Sequence, residues 1–392
     1  TALSMSLGRP IEEVYELLDL VAVSIAADIV PINGENRVLA YYGLQLINKN
    51  PRPGLESVLS HANVHRVEEE PAPNSEHPQN VLNKEVTISD LVFMIGPRIN
   101  AAGRLEKASD SVRLLIAERK EHAEKLASSI NDLNVRRREF DNKITEEALQ
   151  MIQQDERLLQ AKSTVIFNEN WHKGVIGIVA SRLTDTYYRP TIVLTRSNNL
   201  ITGSARSIKN FDIYDAIDNC SDLLEHFGGH KYAAGLSLKP ENLSEFSRRF
   251  EEYVSNNIDR EELIPELNVD LEINFSDITP KFVRVLKQFS PFGPGNMAPV
   301  FLSRNVIDSG SSRPVGGQEK KHLKLSMTQK HDNNLILPGI AFQKGADYQR
   351  VNSKEPFSIC YCIEKNFWQG KTNLQLNVKD IKFENDGNIL EK

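Results

Sequence analysis

Apolar and polar positions divide the chain into three stretches with different rhythms. IEEVYELLDLVAVSIAADIV (Ile11 to Val30) begins amphipathic and ends almost wholly apolar, as expected of an element entering a core. A second helix is expected from Asn36 to Asn48, with Asn36 as its N-cap. EEEPAPNSEHPQN (Glu68 to Asn80) is acidic, proline-rich and aperiodic, which predicts an exposed loop. From Ser109 to Gln153 there is neither Gly nor Pro. Ala123, Leu126, Ile130, Leu133, Phe140, Ile144 and Ala148 recur at steps of three, four and seven, one stripe of a helix. At about 1.5 Å per residue it would reach roughly 65 Å, which predicts a strut between domains. Arg136, Arg137 and Arg138 lie on it, and their simplest reading is a solvated face.

The middle stretch alternates short apolar runs with helical ones. STVIF (Ser163 to Phe167), PTIVLT (Pro190 to Thr195), ITGSARS (Ile201 to Ser207) and AAGLSL (Ala233 to Leu238) predict strands. KGVIGIVASRL (Lys173 to Leu183) predicts a loop and then a helix. A further helix is expected from about Ile213 to Phe227. Asn242 with Glu245 suggests a capping box opening a helix to about Asn256. From about Pro265 the runs become short and alternating: LNVDLEI, NVIDSG, HLKLSM, LILPGIAF, FSICYCI and TNLQLNVKDIKF. Turn residues separate them, and the pattern predicts a small β-barrel.

The 392 residues exceed what one core organises and imply two or three domains. No run of about 18 apolar residues marks a membrane span. TALSMSLGRP lacks the basic, then apolar, profile of a signal peptide. It also lacks an initiator Met, so the natural N-terminus is expected upstream. Cys220, Cys360 and Cys362 make no disulfide framework and suit a reducing cytoplasm. Cys360 and Cys362 alternate along an apolar run, as one face of a strand does. The net charge of −6 means that any contact with nucleic acid must be local, on gathered Lys and Arg.

Several motifs carry candidate chemistry. RINAAGR (Arg98 to Arg104) sets two arginines and Asn100 around small residues. Guanidinium groups grip phosphate bidentately and small residues allow close approach, although a surface turn would read the same way. WHKGVIG (Trp171 to Gly177) stands where a strand gives way to a helix. A loop there can offer His172 and backbone N–H groups to an anion. In GSARS, alternation puts Ser204 and Arg206 on one face of a strand. FGGHKYAAG (Phe227 to Gly235) is the most unusual, with two glycines in a crowded turn before His230. Asp28 lies in an apolar stretch, where a carboxylate must be hydrogen-bonded, paired or metal-bound. A helix-terminal cap is the alternative.

Together, and in this order, VAVSIAADIVPINGENRVLAYYGLQLIN, DLVFMIGPRINAAGRL, NWHKGVIGIVASRL, GSARS and GGHKYAAGLSL resemble the later motifs of RecJ-type exonucleases of the DHH phosphoesterase superfamily. FSPFGPGNMAPVF (Phe289 to Phe301) is similar to the segment leading into that family's OB-fold domain. The resemblance implies an α/β chain in four parts. Residues 1–108 would be the C-terminal part of the DHH domain, 109–160 a long connecting helix, 161–264 the DHH-associated α/β domain and 265–392 the OB-fold barrel. It implies a 5′→3′ exonuclease on single-stranded DNA, acting in repair and recombination with two Mn²⁺ or Mg²⁺ ions. Asp28 would be a metal ligand. Arg98 and Asn100 would act at the reacting phosphate with His230, and Arg104, His172, Ser204 and Arg206 would contact DNA. Single-strand-binding protein or a helicase would be a partner, in the cytoplasm and away from membranes.

The family's early aspartate-rich motifs and its Asp-His-His are absent, so the chain is expected to be a fragment that binds DNA without cutting it. The alternatives are a non-catalytic scaffold and a phosphodiesterase for short oligonucleotides or cyclic dinucleotides. The long third domain argues against the last, because small substrates need no extended strand-holding surface. In that domain Lys320, Lys321, Lys324, Phe342, Phe367 and Trp368 supply the cations and rings such a surface uses.

Overall fold

The computed structural model describes residues 2–69, 79–330, 332–368 and 371–383. The run from Ile11 is broken. A short helix, Glu12–Tyr15, ends before α1 (Leu18–Ala27), whose apolar side buries Ala22, Val23, Ile25 and Ala26. Asp19 is buried with them because two Arg52 nitrogens hold its carboxylate at 2.6 Å. Helix α2 (Gly34–Lys49) starts before Asn36. Asn33 takes the N-cap position, and the Asn36 amide donates to the Pro31 carbonyl instead. Helix α3 (Pro53–His61) follows. The ends of the acidic stretch are not loop, since Arg66–Glu69 and Gln79–Leu82 pair antiparallel. Residues 70–78 lie outside the described residues.

RINAAGR belongs to helix α4 (Gly96–Leu105) and is not a turn; Ala101 and Ala102 are fully buried. The single long helix is also corrected. Ser109–Leu115 forms α5, and Lys120–Gln154 forms α6, about 50 Å long. No Gly or Pro marks the break. It exists because both helices pack on α3 and on each other. Ala123, Ile130, Leu133, Ile144 and Ala148 are buried as the stripe predicts, whereas Phe140 is exposed and Asp141 is buried.

A five-stranded sheet follows. It is built from β1 (Thr164–Phe167), β2 (Thr191–Ser197), β3 (Leu200–Arg206), β4 (Leu224–His230) and β5 (Ala233–Leu238). Its order is β1-β2-β3-β5-β4. Helix α7 (Ile176–Tyr187) makes the crossover between parallel β1 and β2, and the other pairs are antiparallel. The helix expected to reach Phe227 stops at Asp218, as α8 (Ile213–Asp218). Glycines are poor helix formers, and the residues from Leu224 pair with β5 instead. Helix α9 (Leu243–Asn257) begins without the expected capping box, because the Asn242 amide donates to the Leu223 carbonyl at 2.9 Å.

One face of this sheet packs Ile192, Leu194, Ala205, Ala234 and Leu236 against Phe246 and Phe250 of α9. On the other, Ile166 and Val193 meet Val179 and Leu183 of α7 and Ile144 and Ala148 of α6.

After α10 (Pro280–Lys287) come β6 (Phe301–Asp308), β7 (His322–Gln329), β8 (Asp332–Ala341), β9 (Phe357–Trp368) and β10 (Lys371–Phe383). They pair in the order β7-β8-β10-β9-β6 within a seven-stranded sheet, whose short end strands Arg313–Val315 and Leu271–Glu272 pair with β7 and β6; β6 also pairs with β7, closing the five longer strands into a barrel of OB type. Tyr361, Phe357, Phe301, Leu325 and Met327 fill it. The Tyr361 hydroxyl lies 2.8 Å from Ser303 Oγ, and burial pushes its phenol up to about 12. Cys360 and Cys362 are free thiols on the face opposite Tyr361.

The FSPFGPGN segment clasps the Pro31–Asn33 turn. Ile32 donates its N–H to the Pro294 carbonyl, Arg37 donates to the carbonyls of Gln288 and Ser290, and a Cβ at Gly293 would run into Ile32. By compactness the chain divides into two units. One comprises Thr1–Arg52, Ala62–Gly96 and Leu267–Lys392, and the other Pro53–His61 and Pro97–Glu266.

Candidate nucleic-acid interface

Seven of the eight candidate residues fall in the second unit, on α4, the loop before α7, β3 and β4. Arg98 is half-buried; its Nη2 donates to the His61 carbonyl at 2.9 Å and its Nε to Asn131 Oδ1 at 3.1 Å. Asn100 is exposed. Arg104 Nη1 donates to the Gly174 carbonyl at 3.2 Å, and a Cβ at Gly174 would collide with the Arg104 carbonyl. That glycine is therefore required by α4 packing on the WHKGVIG loop. His172 accepts the Gly174 N–H at Nδ1 (3.1 Å) and stacks on Phe140, ring centroids 5.7 Å apart. Its Nε2 has no partner among the described residues.

Arginines gather here. Arg206 is held at Nε by Ser181 Oγ (3.2 Å) and at Nη1 by Ser204 Oγ (3.0 Å) and its neighbour's carbonyl. Its Nη2 has no bond among the described residues. Burial, and then the Arg104 charge, pull Arg206 below the ordinary arginine value. Burial and the Arg138 charge do the same to Arg98. Arg137 is lowered chiefly by burial, which outweighs Asp141; Arg104, Arg138 and Arg182 lower it further. The carboxylate set among them is Asp141, 2.7 Å from Arg182 Nη2, and burial still raises its pKa. These arginine charges are thus held close together, with one buried acid among them. Arg137 is half-buried beside Asp141 and so is not merely on a solvated face, whereas Arg136 and Arg138 are exposed as that reading expects.

The register of β3, β5 and β4 defines the rest. Residues directly opposite on neighbouring strands share a face. Arg206, Ala233 and His230 form one row, and Ser204, Gly235 and Gly228 the next. Thr202, Ser237 and His226 form a third. All nine lie on the face that α7 and α6 cover over β1 and β2, but over β4 and β5 that face is open: His226, Gly228, His230 and Gly235 are exposed. A Cβ at Gly228 would meet nothing within 4 Å, and at Gly235 only a carbonyl oxygen at 3.9 Å. Neither glycine has a positive φ. No neighbour among the described residues requires them, and they leave bare backbone exposed on this face. Gly229 differs: a Cβ there would strike Ala233 and Ala234. The crowding expected of FGGH is real, but it occurs within a strand and not at a turn. His226, Thr202 and Ser237 were not singled out in the sequence. The signal was the strand register, hidden while this segment read as helix.

Asp28 is in the other unit. It ends α1 as an exposed C-cap and is not buried among apolar groups. No group of three or more His, Cys, Asp or Glu that could hold a metal occurs among the described residues. The residues present therefore do not fit a two-metal centre. On the barrel, Lys320, Lys321, Lys324 and Phe342 are exposed, with Phe342 edge-on to His322 at 5.2 Å. Phe367 and Trp368 lie on β9, and their side chains are outside the described residues. No helix among the described residues is long and apolar enough to cross a membrane.

Fold and site define a class: a phosphoesterase-associated α/β domain joined to an OB barrel. A model of the DHHA1 domain matches residues 160–256, and one of the RecJ OB domain matches 269–380. The single-stranded-DNA-specific exonuclease RecJ of Bacillus subtilis is 34% identical over 93% of this chain and 44% of its own length. That of Haemophilus influenzae is 33% identical over 94% of this chain and 62% of its own. The crystal structure of Thermus thermophilus RecJ with Mg²⁺ superposes with TM-score 0.77 at 26% identity, covering 97% of this chain and 54% of that one. The same protein has been solved with Mn²⁺. The chain is a RecJ-type sequence corresponding to a C-terminal portion, and it spans roughly half the length of these relatives.

Proposed function

We propose that the chain is the strand-holding part of a 5′→3′ single-stranded-DNA exonuclease that hydrolyses phosphodiester bonds in DNA repair and recombination. The observation that carries this reading is the open face of β4 and β5. Arg206, Ser204 and His230 flank backbone left bare by Gly228 and Gly235, beside the arginine cluster of α4 and α6. Arg206 and Ser204 take the terminal phosphate, with His230 opposite. Arg104, His172 and the α6 arginines receive the phosphates that follow. Arg98 and Asn100 sit toward the reacting phosphate with His230 and complete the catalytic set. The OB barrel contributes its own strand contacts through Lys324 and Phe342.

In the whole enzyme hydrolysis would draw on two divalent ions, Mn²⁺ or Mg²⁺, to activate water and offset charge on the attacked phosphate, and Asp28 would be one ligand only where further carboxylates join it, since the described residues by themselves do not form that centre. The remaining ligands are not among the described residues, so this chain by itself binds and does not cut. Single-strand-binding protein or a helicase, in the cytoplasm, would supply the exposed strand.

The test is incubation with 5′-labelled single-stranded DNA and Mn²⁺, reading retention and cleavage together. Retention without cleavage, weakened by Arg206→Ala, is expected. Efficient cleavage by this chain, or equal retention of duplex DNA, would overturn the reading.

A further inference from the structure

His226 is exposed and makes no hydrogen bond or ion pair with the described residues, and a strand irregularity sets where it points. Leu224 pairs with Leu238, but His226 pairs with Ser237, so the register slips by one residue between them. Residues two apart on a regular strand share a face. Leu224 packs on the core beneath the sheet, and without the slip His226 would be directed there too. A bulge that re-aims a side chain is a recurrent device beside binding sites. Here it turns the imidazole onto the open face, past Gly228 from His230.

We infer that His226 is a base-contacting residue, and that this face holds one terminal nucleotide. The phosphate lies at Arg206, Ser204 and His230, and the base lies over Gly228 and Gly235 against the His226 ring. This rests on the reading of the face as a DNA site. The dimensions suit it. His226 and His230 are four residues apart, about 13 Å along the strand, and Arg206 is two strand spacings, about 10 Å, across from His230. That area accommodates one nucleotide. An imidazole offers a planar face for stacking, which is tolerant of base identity. Side chains at Gly228 or Gly235 would lift a base off this floor.

The experiment measures binding of this chain to two single-stranded oligothymidines with 5′-phosphates, one intact and one abasic at the 5′-terminal position. His226→Ala is expected to weaken binding of the intact strand by about 5- to 10-fold, the low end for a lost base–aromatic stack. It should leave the abasic strand unchanged, and His226→Phe should restore the intact strand. Equal losses on both strands, or none on either, would overturn the inference. Arg206→Ala separates the two claims, because it should weaken both strands. If it weakens neither, the face is not a DNA site at all.

Discussion

The two five-stranded structures in this chain put their small and large residues to opposite uses. The barrel closes on itself through the β6–β7 pairing and fills its interior with Tyr361, Phe357, Phe301 and Met327. Its close-packed glycines have neighbours that explain them: Met327 and the Leu376 carbonyl press on Gly339, and a Cβ at Gly345 would strike the Lys320 carbonyl. The α/β sheet stays open. Over β4 and β5 it carries Gly228 and Gly235 with nothing against them. A glycine explained by its neighbours belongs to the fold. A glycine that no described neighbour explains is where the proposed ligand contact can be tested.

Four changes would break or sharpen this contrast. Tyr361→Ala should have the largest effect, destabilising the barrel by about 3–5 kcal/mol through lost burial and a cavity. Thermal or urea unfolding would show it, and an unchanged midpoint would mean that the barrel is not held by its filled interior. Arg206→Ala should come next, weakening single-stranded-DNA binding by about 30- to 100-fold, as loss of a partly buried charge-assisted contact does. The slope of log affinity against log salt should also fall by about 0.7.

Gly228→Val is the sharpest test. A β-branched residue suits a strand, so stability should rise by about 0.5 kcal/mol while affinity falls by about 10-fold. Loss of both stability and binding would show a structural glycine instead.

Asp141→Asn should have the smallest effect, tightening DNA binding by about 2- to 3-fold as one negative charge leaves the arginine cluster. Its pH signature has a definite sign. The native carboxyl holds its proton to higher pH than the unfolded one. Its contribution to stability is therefore full below the ordinary carboxylate value and lost as pH rises through the raised native value. Melting curves across that range should show wild type losing ground to Asp141→Asn as pH rises, and parallel curves would refute the assignment.

Much of this was legible in order along the chain. Alternation predicted β1, β2, β3 and β5, and the helical stripe predicted most of the buried residues of α6. The RINAAGR, WHKGVIG, GSARS and GGHKYAAG motifs are each a local arrangement of small and charged residues, and the fold brings the segments that carry them into one compact unit. The misreadings share one cause. The break between α5 and α6, the helical start of RINAAGR and the strand at Leu224–His230 all depend on partners distant in sequence: α3, the buried surface under Ala101 and Ala102, and β5. Propensity weighs a residue against its neighbours in the chain, and these segments were decided by what they pack on.

The sequence by itself determined the residue types: which segments carry arginines, histidines and glycines. Only the tertiary structure decided which of them share a surface. Cross-strand register puts Arg206, Ser204, His230 and His226 on one face, and tertiary packing gathers Arg104, Arg137 and Arg182 around Asp141. A one-residue slip in a strand reverses which side every residue faces, and no local pattern records where such a slip occurs.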